Sequence, residues 1–563
     1  MGTISDKLMR IINTKEDIRQ ALISKGYDVP TSIPFKEYAK MISDLPCRVD
    51  SFPDIEGIVA RYSALGLTNE QMATNPVWVD KTGNGYDLQL KNFSWKGMSG
   101  VGGYGDENHQ TFYKFTLDDY VFIATPPGVK HMNFTFRVTG LQPGNKLTLA
   151  FFGTTNTVYG TWNKDGIYTV DADIVEAGKP TYFYNGYGAT RGEFTIEILP
   201  LYPGALVFDG VDDYGVCENF PILTKEKGYT VVALRQWIEE KNDSTALVSN
   251  CKNWNQDGAF LFKYNNLRIN FLNVAISFGH VSSVDRGKSP FSYQTSKLYN
   301  GKNIKPGSFI GSNELVVGKG NKDFPTVSNA AIWEIVILDH DATEEELTKI
   351  KDYFVKTYPW LFPDQAWTVV GKTNEDEDRA TIANITGNGN DLILSNFGFI
   401  EGSGYNEEGE YAGYLVTDGV DDKIISSIFK MGNDWTVIGD WELINTGKND
   451  NAGIVKFDSI VIYNYNYNYN SMLINIKNGR NILIPDQNTV NAICSDGRIY
   501  SKDWKESIYN EETESTSKNF LTIGYSGNAY TKIAFKNLAI YPTVLSREDC
   551  IKAYNYLQTL KAK

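Results

Sequence analysis

The sequence has little of what most catalytic and metal sites are built from. It contains only four histidines in 563 residues, and they form no HxxH or HExxH pattern. Its five cysteines lie far apart and include no CxxC pair; they are Cys47, Cys217, Cys251, Cys494 and Cys550. This spacing argues against a zinc site or a disulfide framework and fits assembly in a reducing compartment.

Basic charge is also scarce. Lysine and arginine total 54 against 68 aspartates and glutamates, which gives a formal net charge of −14. Proteins that bind DNA or RNA need basic surfaces that displace counterions from phosphates, so we expect no nucleic-acid partner. No apolar run approaches the roughly 18–20 residues of a membrane-spanning helix, and the first residues show no secretory signal. We therefore expect no membrane insertion and synthesis in the cytoplasm.

Aromatic residues, in contrast, are abundant. Tyr, Phe and Trp make up 13% of the chain, and glycine contributes 50 residues. This composition is typical of half-buried strands joined by turns, and of surfaces that stack on sugars or on protein partners.

The strongest signal is an internal repeat. The segment TGNG at 82–85 recurs at 386–389, 304 residues later, whereas DGVDD at 209–213 recurs at 418–422, only 209 residues later. The first copy therefore carries 95 additional residues between its two motifs, about the size of one small domain. Each copy ends in a strand followed by a helix with a capping-box-like start, at Thr343 and at Ser546.

These motifs resemble the concanavalin A-like, laminin-G-type jelly roll. The resemblance predicts a mainly β protein with two such sandwiches, one carrying an inserted immunoglobulin-like or carbohydrate-binding-like β-sandwich, and a short helical N-terminal segment. The predicted domains are listed here in chain order: a helical anchor at 1–47, jelly-roll domain A at 53–105 and 201–364, the insert at 106–200, and jelly-roll domain B at 365–563.

The N-terminal segment 1–47 reads as two short amphipathic helices that cannot bury their apolar faces alone. Residues 14–30 and 34–39 resemble the opening of virion fibre and tail proteins of Bacteroidales phages, including the crAss-like group. The resemblance implies that this segment docks on other virion proteins, and the anchoring candidates are Ile18, Leu22, Phe35 and Tyr38. A cap on the following domain is the alternative. Such fibres are usually homo-oligomers, often trimers, although no heptad run specifies the number.

Candidate binding residues are aromatic rings in polar contexts. Trp162, Trp254 and Trp504 each lie among Asn, Asp or Lys residues and could stack on a sugar, or could instead cover the edge of a core. The alternating Tyr-Asn run at 463–470, with Tyr465 and Tyr467, could form a stacking platform, an oligomer contact or a low-complexity hairpin.

The aspartates of the two DGVDD motifs have two interpretations. We favour turn capping by their side chains, because no EF-hand-like loop accompanies them. Calcium binding is the alternative. The residues concerned are Asp209, Asp212, Asp213, Asp418, Asp421 and Asp422.

Catalytic residues are not predicted. Glu193 and Glu197 share one face of a strand, as in the paired carboxylates of glycanases, but Thr195 lies where the resembling enzymes have an aspartate. We predict a non-enzymatic virion protein without cofactor, assembled in the bacterial cytoplasm as a tail or head fibre component, that binds host-surface polysaccharide. A purely structural virion module and a glycan-cleaving depolymerase are the alternatives.

Overall fold

The computed structural model describes the chain in segments. These are residues 52–104, 112–115, 120–123, 131–141, 146–151, 156–163, 165–173, 181–185, 194–223, 227–239, 246–250, 261–263, 269–271, 274–276, 290–299, 302–303, 312–320, 327–407, 411–427, 432–444, 453–457, 460–465, 471–476, 480–484, 490–501, 504, 506–508, 521–526 and 529–562. The helical segment predicted at 1–47, with its four anchoring candidates, lies outside these ranges.

The described residues form antiparallel sheets with few helices, which confirms the mainly β fold class. In these segments no helix is both long and apolar enough to cross a membrane. The first strands are β1 (Ile58–Ser63), β2 (Val77–Trp78), β3 (Leu88–Lys91) and β4 (Gly100–Val101), with helix α1 (Asn69–Thr74) between β1 and β2.

The next eight strands form a separate sandwich. They are β5 (Phe112–Phe115), β6 (Tyr120–Ile123), β7 (His131–Thr139), β8 (Leu147–Phe151), β9 (Thr157–Trp162), β10 (Gly166–Asp173), β11 (Thr181–Asn185) and β12 (Phe194–Leu199). In the described chain they pair only with one another, in the orders β10-β7-β12-β5 and β6-β11-β8-β9. Phe194, Ile196 and Ile198 point into their own core, as the period-two pattern of β12 predicts.

The chain then returns to the first sheets. The strands are β13 (Leu206–Asp209), β14 (Tyr214–Cys217), β15 (Thr230–Glu239), β16 (Ala246–Ser249), β17 (Leu261–Lys263), β18 (Ile269–Phe271), β19 (Val274–Ile276), β20 (Phe291–Thr295), β21 (Leu298–Tyr299), β22 (Lys302–Asn303), β23 (Leu315–Val317) and β24 (Asn329–Leu338). Helix α2 (Glu344–Thr357) and a 3-10 helix (Pro359–Leu361) follow.

We call β1–β4, β13–β24 and α2 module A. One sheet has the order β22-β21-β20-β15-β24-β13-β4 with β1 on β24, and the other β17-β16-β23-β14-β3-β2. Both contribute to one apolar core.

Module B comprises the remaining elements. They are β25 (Gln365–Thr368), β26 (Thr381–Ile382), β27 (Leu392–Ser395), β28 (Gly404–Tyr405), β29 (Leu415–Val416), β30 (Lys423–Ser426), β31 (Thr436–Leu443), β32 (Gly453–Phe457), β33 (Ile460–Tyr465), β34 (Ser471–Ile476), β35 (Arg480–Ile484), β36 (Val490–Cys494), β37 (Arg498–Ser501), β38 (Glu506–Ile508), β39 (Thr522–Ile523), β40 (Tyr525–Ser526), β41 (Ala529–Tyr530), β42 (Ile533–Tyr541) and helix α3 (Arg547–Gln558). Its main sheets are β28-β29-β42-β31-β36-β37-β38, with β25 on β42, and β26-β27-β30-β39-β32-β33-β34-β35. The precise domain limits read from the sequence stay predictions.

Equivalent hydrogen bonds in the two modules reproduce the sequence repeat. The Asn69 side chain bonds both the N–H and the C=O of Val101, and the Asn374 side chain does the same to Tyr405. The helix caps also match, since the side chains of Thr343 and Ser546 accept from backbone N–H groups three residues later.

The modules share a second apolar cluster, formed on the side of each sheet that carries the helices. The rings of Trp333 and Tyr556 meet edge to face at 6.4 Å, and the Tyr541 hydroxyl donates to the backbone carbonyl of Trp360. Gln236 of module A donates to the hydroxyl of Thr559, 3.1 Å away. The two modules are therefore packed against each other through aromatic residues.

Candidate functional site

A pocket of about 380 Å³ lies at one end of the first sheet of module A. It forms where the first residue of β1, the first of β15 and the last of β24 are paired, because Leu338 lies opposite both Ile58 and Thr230. The loops that precede β1 and β15 and the loop that follows β24, together with the TGNG turn, supply its wall. The residues that line it include Asn84, Tyr86, Ile222, Lys227 and Asp339.

The TGNG turn holds one wall of the pocket. Asp80, which is buried, accepts hydrogen bonds from the backbone N–H of Arg61 and from the N–H and hydroxyl of Thr82. The Asn84 amide donates to the backbone carbonyl of Val59 at 2.9 Å, which ties the turn to β1. Glycines flank Asn84 at positive φ, a conformation that glycine adopts at low cost.

Tyr86 supplies the aromatic surface of the pocket. Its ring is half-buried and contacts Phe220 edge to face at 5.6 Å, while its backbone carbonyl accepts from the Tyr62 hydroxyl. Ile222, which also lines the pocket, is 57% exposed. Tyr86 and Ile222 together give the pocket an apolar patch held by the core.

Polar residues also line the pocket. Asp339 and Lys227 are exposed, and the backbone N–H of Asp339 donates to the carbonyl of Gly57 at 3.0 Å. A carboxylate oxygen of Asp339 lies 3.3 Å from Nδ1 of His340, whose Nε2 lies 3.2 Å from Glu346. An aromatic ring with a carboxylate, an ammonium and an amide nearby can stack on the apolar face of a sugar and bond its hydroxyls.

Module B contains the same TGNG turn but has no aromatic ring at the position of Tyr86. Asn384 replaces Asp80 and accepts from the N–H of Ala366 and of Thr386. Asn390 stands at the position of Tyr86, and its side chain bonds Gln365 and Ser427. The sequence motifs did not point to Tyr86. The exchange of Tyr86 for Asn390 in an otherwise matched block could have indicated that this position differs between the modules.

The tryptophans predicted from sequence differ in exposure. Trp504 is 1% exposed and lies in the cluster shared by the modules, with its ring 6.0 Å from Tyr500 and 5.7 Å from Tyr554. The prediction of a sugar-stacking ring at Trp504 is therefore wrong. Trp504 lies at positive φ, and its ring is buried in spite of its polar sequence neighbours.

Trp162 ends β9 in the inserted sandwich and is half-buried. It packs edge to face on Phe136 at 4.8 Å and against Tyr168 at 5.6 Å, so it covers an edge of the insert core. Trp254, and Tyr467 of the Tyr-Asn run, lie outside the described residues.

The Tyr-Asn run begins inside β33. Residues Tyr463–Tyr465 pair with Ser471–Leu473 of β34, so the two strands form an antiparallel hairpin. The side chain of Tyr465 lies outside what the structure describes, as do residues 466–470. A role of this run in stacking or in oligomer contact stays a prediction.

The DGVDD aspartates form two acidic clusters. In each, one carboxylate oxygen per residue lies within 4.8 Å of the others, among Asp209, Asp212 and Asp213 and again among Asp418, Asp421 and Asp422. Oδ1 of the first aspartate in each turn accepts from a backbone N–H two residues later, at 2.7 Å. These bonds are those expected from turn capping.

Burial sets the acidity of the last aspartate of each turn. Burial, with Asp209 nearby, raises the pKa of Asp213 to about 8. Burial also raises the pKa of Asp422 to about 6, against the opposing effect of hydrogen bonds from neighbouring groups.

The candidate catalytic pair lies in the insert. Glu197 on β12 faces Arg137 on β7, and its carboxylate lies 2.6 Å from the guanidinium. Glu193 lies outside the described residues. The prediction that the chain is not an enzyme stays a prediction.

Comparisons with known proteins give only distant similarity. No protein-family description and no curated protein matches the chain. Among solved structures, Trypanosoma rangeli sialidase in complex with sialic acid aligns at 9% identity and a TM-score of 0.22, covering 75% of this chain and 77% of that one. The botulinum neurotoxin serotype D ligand-binding domain with N-acetylneuraminic acid aligns at 11% identity and a TM-score of 0.23, covering 61% and 88%. Similarity this weak supports no statement about the function of this chain.

Proposed function

We propose that this chain is a glycan-binding structural protein of a phage particle, a fibre component whose N-terminal segment attaches to other virion proteins and whose β modules face outward. The observation that carries the glycan-binding part is the pocket of module A, in which the half-buried Tyr86 ring lies near Asp339 and Lys227. The virion part rests on the resemblance of residues 14–30 and 34–39.

The pocket suits one or two sugar rings rather than a large apolar ligand. Its volume of about 380 Å³ is at the small end of ligand pockets, and its walls mix one aromatic ring with charged and amide groups. Binding energy would come from stacking on Tyr86 and from hydrogen bonds that an exposed carboxylate and ammonium can make to hydroxyls.

The glycan-binding part is tested by affinity electrophoresis of the full chain in gels containing capsular polysaccharides of gut Bacteroidales. We expect one or more polysaccharides to retard the wild type, and Tyr86→Ala and Asp339→Ala to abolish the retardation. Tyr411→Ala, which removes a half-buried ring from module B, is the matched control and should behave as wild type. Equal retardation of wild type and Tyr86→Ala would exclude this pocket, and no retardation by any polysaccharide would favour the purely structural role.

The same polysaccharides test the absence of enzymatic activity. Incubation with the full chain should release no reducing ends above background. Release of reducing ends would make the chain a depolymerase.

The virion part is tested on intact particles by cryo-electron microscopy. We expect residues 1–47 to occupy a socket of portal, tail or capsid, with several copies of the chain around it. Particles that lack the chain would exclude a virion role without affecting the result in polysaccharide gels.

A further inference from the structure

Two buried cysteines of module B lie against each other. Cys494 is the last residue of strand β36, Cys550 lies near the start of helix α3, and the side chains of both are 0% exposed. Although they are far apart in the sequence, the two thiols are hydrogen-bonded to each other. Two thiols in contact can be joined by a disulfide bond, provided that the backbone already holds them side by side.

The backbone just before helix α3 holds both sulfurs in place. The Thr436 hydroxyl lies 3.7 Å from Sγ of Cys494 and accepts from the N–H of Leu545 at 2.9 Å. The carbonyl oxygen of the same Leu545 lies 4.0 Å from Sγ of Cys550. The strand and the helix are therefore tied to one residue that lies beside both thiols.

Module A has no thiol at either position. The strand register places Thr295 at the position of Cys494. The spacing from the helix cap places Leu347 at the position of Cys550. The architecture that the modules share therefore does not require a cysteine at either position, and the pair is a feature of module B.

The surroundings of the pair favour one thiolate. The hydrogen bond from Cys550 lowers the pKa of the Cys494 thiol, and the Arg498 guanidinium nearby lowers it further. Burial raises the pKa of Cys550. Because the thiolate is the nucleophile, Cys494 should react first. Arg498 donates to the carbonyl of Leu545 at 3.1 Å and its side chain is 23% exposed, so the pair lies one side chain below the surface.

We propose that Cys494 and Cys550 are oxidised to a disulfide bond by hydrogen peroxide, and that this bond fixes helix α3 to strand β36. The Cys494 thiolate attacks one oxygen of the peroxide, the O–O bond breaks, and Cys494 becomes a sulfenic acid as hydroxide leaves. That hydroxide takes a proton and becomes water.

The second step closes the bond. The sulfur of Cys550 attacks the sulfenic sulfur of Cys494, the S–O bond breaks, and the departing hydroxide takes the Cys550 proton to form water. Two thiols are thereby oxidised to one disulfide while one peroxide is reduced to two waters. Peroxide is close to water in size, which suits a pair that no bulky oxidant can reach.

Peptide mapping of the folded full chain after treatment with excess hydrogen peroxide tests the proposal. We expect most chains to carry the bond between Cys494 and Cys550. Cys217, the buried thiol of module A, should stay reduced because burial raises its pKa. Cys217→Ser is the matched control and should form the same bond as wild type. Cys494 and Cys550 that stay reduced, or that bond to other cysteines, would overturn the proposal.

Single variants test the order of the two steps. Cys550→Ser should stop at the sulfenic acid of Cys494, which dimedone traps when the treated chain is unfolded in its presence. Cys494→Ser should leave Cys550 reduced. Oxidation of Cys550 in that variant as fast as in wild type would exclude Cys494 as the first nucleophile. Circular dichroism of the reduced variants shows whether they fold.

Thermal melting tests the link between helix and strand. Peroxide treatment should raise the melting temperature of wild type and of Cys217→Ser on the order of 5 °C, and that of Cys550→Ser not at all. Equal melting of oxidised and reduced wild type would contradict the role of the bond in fixing α3. The pocket of module A takes no part in this chemistry, so neither result depends on polysaccharide binding.

Discussion

Arg61 on β1 and Glu334 on β24 form an ion pair inside module A, with Nε of the arginine 3.1 Å from Oε2 of the glutamate. Both side chains are buried. The hydroxyls of Tyr353 and Tyr358 donate to Oε1 of Glu334, and the guanidinium lies 4.2 Å from the ring centre of Phe52. The pair thus ties the end of helix α2 to the sheet, with hydrogen bonds replacing the lost water.

Removing one partner of this pair should be strongly destabilising. Glu334→Ala leaves the Arg61 charge buried without its carboxylate, at a cost of about 3–5 kcal/mol. Thermal melting followed by circular dichroism should show a clear fall in melting temperature. The double variant Arg61→Met with Glu334→Leu should recover much of the loss, because no charge then remains buried. Melting of Glu334→Ala close to wild type would contradict the prediction.

The stability of the fold should fall as pH rises from 5 to 8. Asp213 in the folded chain has a pKa of about 8 against an ordinary value of 3.8, so between these values the folded state holds a proton that the unfolded chain has released. Stability from this group is complete below pH 3.8 and is lost as pH rises through 8. Asp422, at about 6, adds to the fall at lower pH.

Asp213→Asn should flatten this dependence. As pH rises from 5 to 8, wild type should lose on the order of 1–3 kcal/mol of unfolding free energy that the variant keeps, as measured by thermal melting at each pH. Asp212→Asn changes an exposed neighbour and should retain most of the fall. Parallel curves for wild type and Asp213→Asn would rule out the shifted pKa.

A side chain at Gly57 should displace its neighbours at the floor of the pocket. Its φ is +78°, and a Cβ atom there would collide with Oδ1 of Asp339. Gly83 has a similar φ of +79° but open space around it, so it separates the effect of backbone conformation from that of crowding. We expect Gly83→Ala to cost about 1 kcal/mol and Gly57→Ala somewhat more, because the side chains of Asp339 and His340 must also move aside. Melting temperatures check this, and equal losses would contradict it.

Replacing Trp504 or Trp162 should lower the stability of the chain without abolishing polysaccharide binding. Trp504→Ala empties a fully buried site shared by the modules and should cost about 3–5 kcal/mol. Trp162→Ala removes a half-buried ring from the edge of the insert and should cost less. Neither residue lines the pocket, so polysaccharide retardation should survive both changes at a temperature where the variants are folded. Loss of retardation in Trp162→Ala alone would place a binding surface on the insert.

Local sequence determined much of the fold. Turn residues such as Asn84, cap residues such as Thr343 and the alternation of β12 act over a few residues, so their effects can be read without tertiary contacts. The repeat also revealed two equivalent modules, because matched turns demand matched backbone conformations. Strand β24 shows the limit, because its sequence does not say what covers each of its faces and the structure buries both. Helices α2 and α3 and the other module cover the second face.

The candidate site depended on tertiary structure. Tyr86 and Asp339 are 253 residues apart in the sequence, and only the pairing of β1 with β24 and β15 brings their loops to one pocket. Trp504 looked exposed from its neighbours, yet its environment is set by a shared aromatic cluster that no local pattern encodes. The sequence by itself determined the strands, the turns and the duplication, because these arise from local conformational preference. Only the tertiary structure decided which rings face water and which carboxylates lose their solvent, because burial is a property of distant segments packed together.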